Sequence, residues 1–313
     1  MSMLNHSPGS KFNLSRRTLI NGLVGVLVGQ PLLAFSQKPL EKTQSYLMME
    51  GKLDDILSHE SSQTIVWIYT GLKDVYLVDF SSLLTQGRTF NRLTHLIQQS
   101  FEPYKRILSE QELEERLAAI NRTMETMAFG HDILFDELVL FYNLAKRDNI
   151  SLFAEEQQLL DFLIQIKAIS EWRGIFNTTK PNGVILSAPK VQTRINGTYL
   201  VSPLARKTII IHELSHGEYY TNPYYAEYCR QYWSKSLNDS LRSKFLKFLE
   251  KYNYSLYGME LVINEMQAYL MFTPDPNSFN ARTLGVSEAE LRAMRTAFVL
   301  GKPPTHLPLN LVT

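Results

Sequence analysis

The chain has 313 residues, 44% of them hydrophobic and 20% charged, and a formal net charge of +1. A balance this even lacks the basic excess that marks nucleic-acid binders, so no nucleic-acid partner is expected. The lone cysteine, Cys229, cannot form an internal disulfide, so stability has to come from an apolar core, which this length supplies as one large domain or two smaller ones.

From the N-terminus, Ser15-Arg16-Arg17-Thr18-Leu19-Ile20-Asn21 resembles a twin-arginine export motif. A mildly apolar stretch, Leu19 to Phe35, follows and is broken by Gly22, Gly25, Gly29 and Pro31. It falls short of the ~20 well-apolar residues that a spanning helix needs. Ala34-Phe35-Ser36 offers small residues at both recognition positions of a signal peptidase, which would leave Gln37 as the new N-terminus. Residues 1–36 are therefore expected to be a twin-arginine signal peptide that engages the export machinery. The mature protein should have no stable membrane span and lie in the periplasm or outside the cell. Removing Lys11, Arg16 and Arg17, with no acids, turns the +1 into −2.

Residues 37–180 read as a mainly helical region with one β-hairpin. The hairpin spans 63–80, with Ile65 to Tyr69 and Val75 to Val78 around Gly71-Leu72. Helices are predicted over roughly 90–100, 109–127, 131–147 and 153–172, with acid-rich starts such as Ser109-Glu110-Gln111-Glu112 as caps. His131, Asp132, Asp136 and Glu137 suggest a second metal site, but a helix N-terminus favours acids without one. This region could serve as a substrate-binding lobe or as a separate partner module.

Residues 181–313 form the second predicted domain. Short strands come first, Gly183 to Ser187, then Val191 to Ile195 and Thr198 to Val201 around Asn196-Gly197, a type I′ hairpin signal. Ser202 as N-cap with Pro203 at the first helical position, and Asn222-Pro223 as terminator, predict a helix over about 203–220. Inside it lies His212-Glu213-Leu214-Ser215-His216. Side chains four apart on a helix are offset by about 40° around the axis and ~6 Å along it, so His212 and His216 can grip one ion. Glu213 points to the side of that pair, toward the water such an ion would hold. With this composition the pattern arises by chance in ~1 of 100 chains of this size, so its apolar helical context (Ile209, Ile210, Ile211) matters. Glu218 breaks that pattern and is assigned to the outer face.

A catalytic zinc of this kind takes three protein ligands and keeps a fourth position open. The extended metzincin motif would need glycine and histidine where this chain has Tyr219 and Asn222. A thermolysin-like glutamate about 20 residues on is missing from Ser234 to Asn238. Further along, Tyr257 to Leu270 is a strongly apolar helix holding Glu260 and Glu265. Glu265 has Leu261, Val262, Ala268 and Tyr269 as its helical neighbours, so its carboxylate needs a partner. It is the expected third ligand, with Glu260 and Glu227 as fallbacks and a buried salt bridge to an arginine as the alternative. Cys229, among Tyr225, Tyr228 and Tyr232, has no activating base and reads as a packed residue.

Together these residues resemble the gluzincin metallopeptidases, whose pattern is His-Glu-x-x-His followed by Glu-x-x-Ala or Glu-x-x-Asp. Glu265-Met266-Gln267-Ala268 matches the Ala form. The long gap from His216 to Glu265 and the Tyr257-Gly258 pair are similar to toxin-type gluzincins such as anthrax lethal factor. The resemblance spans about residues 182–273. It implies an α+β, mostly helical protein with a zincin-like domain and a small sheet beside the metal helix, and one Zn2+ held by His212, His216 and Glu265. It further implies Glu213 as general base, Tyr257 as oxyanion donor with Tyr219, Tyr220 and Tyr254 as competitors, and a peptide or protein substrate. An edge strand in such folds pairs with the substrate backbone, and a strand between 183 and 201 is the candidate. The usual acid after the ligand glutamate is replaced by Ala268, which leaves the orientation of His212 open. The expected activity is zinc-dependent peptide-bond hydrolysis. A catalytically silent zinc-binding regulatory protein on the same fold is the alternative, and an all-helical adaptor with an accidental motif is a third reading.

Overall fold

The computed structural model describes residues 45–59, 62–98, 106–252, 254, 256 and 258–307. The proposed signal peptide and Tyr257 lie outside these. The first half of the described chain runs β1 (Leu47–Gly51), α1 (Leu53–Ser58), β2 (Ile65–Tyr69), β3 (Val75–Phe80), α2 (Leu83–Gln98), α3 (Glu110–Ala119), β4 (His131–Leu134), α4 (Phe135–Arg147) and α5 (Ala154–Gln165). The second half runs β5 (Ile169–Trp172), β6 (Ile175–Thr178), β7 (Val184–Pro189), β8 (Gln192–Thr193), β9 (Tyr199–Val201), α6 (Pro203–Thr221), α7 (Pro223–Gln231), α8 (Asp239–Lys251), α9 (Met259–Phe272), α10 (Ala281–Leu284) and α11 (Glu288–Gly301). The fold is α+β and mostly helical. No helix among the described residues is long and apolar enough to cross a membrane.

Five strands form one mixed sheet in the order β1-β2-β3-β7-β4. β2 and β3 are the predicted hairpin, antiparallel with Ile65 opposite Asp79. β3 then pairs in parallel with β7, and β4 closes the far edge antiparallel to β7. The sheet thus draws on residues from both sides of the predicted boundary at 180.

Because successive strand residues face opposite sides, the apolar runs feed two cores. Ile65, Trp67, Val75, Leu77, Val184 and Leu186 pack toward α6 and the C-terminal helices. Val66, Tyr76, Val78 and Ile185 pack against α2, α4 and α5 on the other side. The strands are buried on both faces, which is why they read as continuous apolar runs rather than alternating ones.

Two features seat α6 on the sheet. Arg206, in its second turn, forks onto both oxygens of Asp79 on β3 at 2.6 and 3.0 Å and also donates to the carbonyls of Pro189 and Ile56. Nearer the C-terminus, a Cβ on Gly217 would come 2.9 Å from Val75 and 3.3 Å from Leu186, so glycine lets the helix lie this close.

Several predicted elements are corrected. Residues 131–134 are a strand and not the first turn of a helix: β4 pairs with β7, and α4 starts only at Phe135. The fourth predicted helix ends at Gln165, and Ile169 to Trp172 turn into a hairpin with β6. The Asn196-Gly197 turn has only Gly197 at positive φ. A three-residue loop closes between Arg194 and Thr198 instead of a type I′ turn. Glu218 is fully buried, not outward: Asn222 donates to one of its oxygens at 2.6 Å, and the His306 backbone N–H to the other at 3.0 Å.

Candidate metal centre

The helix predicted over 203–220 spans Pro203–Thr221, and Ser202 caps it by accepting from the Ala205 N–H at 3.1 Å. His212 and His216 lie one turn apart on its buried face, their rings 4.8 Å apart and nearly perpendicular. α9 crosses beside them and brings Glu265 into place. Its Oε2 lies 3.6 Å from His212 Nε2 and 3.9 Å from His216 Nε2. The burial is deep, with relative exposures of 8% for His212, 0% for His216 and 1% for Glu265.

The hydrogen bonds behind the rings set which nitrogen faces forward. Thr273 Oγ1 donates its only hydrogen to the Ala268 carbonyl at 3.0 Å, so toward His212 Nδ1 at 2.9 Å it accepts. Asn264 Oδ1 is a pure acceptor and lies 2.9 Å from His216 Nδ1. Both rings therefore carry their proton on Nδ1 and turn an Nε2 lone pair toward Glu265. The Asn264 amide is held in its turn: Gln267 Nε2 donates to it at 3.1 Å, and Tyr225 donates to Gln267 Oε1 at 2.8 Å. His216 Nε2 is buried and has no hydrogen-bond partner.

Three acceptor atoms turned toward one another suit a cation. Ligands about 2.0–2.1 Å from a tetrahedral ion lie about 3.3 Å apart, close to the two separations from Glu265. His212, His216 and Glu265 form a buried cluster that can hold a metal ion, as the sequence reading expected. The fallback acids are elsewhere. Glu260 accepts from Tyr219 at 2.8 Å and from Arg230 at 3.2 Å, and Glu227 pairs with Arg230 at 3.6 Å near the surface. That engagement takes Tyr219 away from the cluster as well.

Glu213 is buried beside the cluster and rests against the backbone at Gly130, just before β4. A second group overlapping the first joins Asp132, Glu213 and His216, with potential ligand atoms within 4.8 Å of one another. Asp132 Oδ2 accepts from Tyr220 at 2.9 Å and lies 4.0 Å from His216 Nδ1. The separate metal site imagined around residues 131–137 does not assemble, because strand alternation splits its members. His131 turns to the opposite face, 2.8 Å from Ser187 Oγ and against the Phe90 ring, while Glu137 caps α4 through the Leu134 N–H.

Two contributors, Asn264 and Thr273, escaped the sequence reading, and a third, Asp132, was read only as part of a separate site around residues 131–137. For Asn264 a signal existed, since an amide in so apolar a helix must find a partner when buried. Thr273 lies just past the helix end, and Asp132 acts across a strand pairing that the chain's local pattern hides. Burial raises the Cys229 thiol pKa, which fits a packed residue.

β7, one of the strands expected to pair with substrate, has both edges filled by β3 and β4. β4 is the edge strand on the metal side. Comparison with protein-family models, curated proteins and solved structures gives no match for this chain, so its likeness to the gluzincins rests on its two motifs alone.

Proposed function

We propose that this protein is an exported zinc-dependent peptidase in which His212, His216 and Glu265 hold one Zn2+ and Glu213 is the general base. The observation that carries the reading is the pair of Nε2 atoms turned by Thr273 and Asn264 toward a buried carboxylate. A structural zinc site would close the fourth position with another histidine or cysteine, whereas three ligands leave it open. Held there, Zn2+ would supply Lewis-acid chemistry, activating a water near neutral pH and polarising the scissile carbonyl.

The chain's own residues supply the remaining roles. Glu213 takes the proton of the attacking water and delivers it to the leaving amine. Tyr257 donates to the developing oxyanion, with Tyr220 and Tyr254 as the described competitors. With β7 enclosed, β8 and β9 are the strands between 183 and 201 that remain to take an extended peptide or protein substrate by strand addition. The twin-arginine signal at residues 1–36 delivers the folded protein to the periplasm or beyond.

The test is elemental analysis of the purified mature protein beside Glu265→Gln and His216→Ala, followed by a peptide-library digest with Glu213→Gln as control. One zinc per chain, lost in both ligand variants, with hydrolysis abolished in Glu213→Gln, is the expected result. Zinc bound without hydrolysis would favour the silent regulatory alternative. A metal-free protein indifferent to added zinc would end both readings.

A further inference from the structure

We infer that Gly130 is a positioning residue for Glu213, so that the edge strand, and not the metal helix alone, places the base; this rests on the peptidase reading above. A Cβ at Gly130 would lie 2.2 Å from Glu213 Oε1, 2.8 Å from its Cδ and 3.0 Å from its Cγ. No real Cβ tolerates such contacts, so position 130 has to be bare for the carboxylate to stay where it is. The φ angle at Gly130 is not positive, so the demand is for space and not for conformational freedom.

The collision falls on the end of a side chain and not on backbone. The fold would absorb an added methyl by moving the Glu213 carboxylate, with the strand left in place. The approach of the strand is fixed independently. Two residues on and facing the same way, Asp132 accepts from Tyr220 of α6 at 2.9 Å, and β4 is paired to β7 from His131 to Leu134. The strand is thus bolted to both the helix and the sheet beside the point where Gly130 meets Glu213. His212, His216 and Glu265 come from α6 and α9 and make no demand on residue 130, so base placement and metal holding are separable.

The experiment compares Gly130→Ala, Glu213→Gln and the double variant with wild type in the zinc-loaded protein. Gly130→Ala should keep full zinc content and an unchanged melting temperature. Its kcat should fall about 10²-fold, the lower end of what a general base contributes, with KM little changed. In the Glu213→Gln background the same substitution should cost nothing further, because its effect passes through a carboxylate already removed. A Gly130→Ala protein as active as wild type, or equal losses in both backgrounds, would overturn the inference. If wild type cleaves no peptide, the peptidase reading fails instead, and crystal structures still decide the geometry. A Glu213 carboxylate displaced in Gly130→Ala supports the placement, and an unmoved one refutes it.

Discussion

Buried carboxylates stand on both sides of the central sheet, and they are treated in opposite ways. On the α2–α5 side, Glu156 is clasped by Arg92, through Nε at 2.8 Å and through Nη2, while that guanidinium lies over the Phe153 ring. Asp79 is likewise clasped by Arg206 where α6 begins. Each of these pairs is complete, with charge, hydrogen bonds and geometry closed within the protein. Glu265, as deeply buried, meets two imidazole lone pairs instead of a guanidinium. From sequence, a buried acid in an apolar helix fits either case. What separates a structural acid from a ligand is whether the groups facing it are guanidinium donors or, as at Glu265 Oε2, imidazole nitrogens that can share a cation with it.

Removing a partner from a closed pair should therefore do the most damage. Arg206→Met leaves Asp79 buried and uncompensated and should cost about 3–5 kcal/mol by urea denaturation. Glu265→Gln, tested beside it in chelator, should cost far less; an equal loss would erase the distinction. Zinc then sharpens the contrast. At about 1,000 times its Kd it should stabilise wild type by about 4 kcal/mol and leave Glu265→Gln unmoved. A smaller effect is expected from the groups behind the rings. Asn264→Leu and Thr273→Val should each weaken zinc about 10- to 100-fold in a competition titration, with the metal-free fold retained.

Away from both clusters, burial and then the neighbouring Arg116 hold the His95 imidazole down at about 4. Folded His95 takes up its proton less readily than the unfolded chain does. Its contribution is present above the unfolded value of 6.5 and lost as pH falls from there through about 4. Partial exposure leaves roughly 1–2 kcal/mol, which His95→Gln should remove from the pH dependence of unfolding. Least of all, Glu260→Ala should change stability by no more than about 1 kcal/mol and zinc content not at all, because its carboxylate lies at the surface, away from the cluster.

Much of the centre was legible before any coordinates. Cap, proline and terminator bounded α6 to within a residue, and the apolar surroundings of Glu265 singled it out from Glu260 and Glu227. These signals are local, carried by side chains within a turn of one another. What escaped was non-local. His131 and Asp132 looked like a helix start because acids follow them, but pairing with β7 outweighed that propensity. Glu218 looked outward because a lone carboxylate usually is, and the distant His306 backbone, together with Asn222, satisfies it when buried. The role of Asp132 and of the bare position at Gly130 depends on that same strand pairing.

The parallel pairing of β3 with β7 also bears on how the molecule comes into being. Everything from Phe80 to Val184 must be synthesised before the middle of the sheet can close, and Glu265 arrives later still. Contacts this distant in sequence pay their loop-closure entropy before they return any stability, so assembly should be slow and late. A nascent chain would expose His212 and His216 before Glu265 is made, and the cluster can form only once α9 joins α6. Any ion the cluster holds would then be acquired by a finished fold, in whichever compartment that fold is completed.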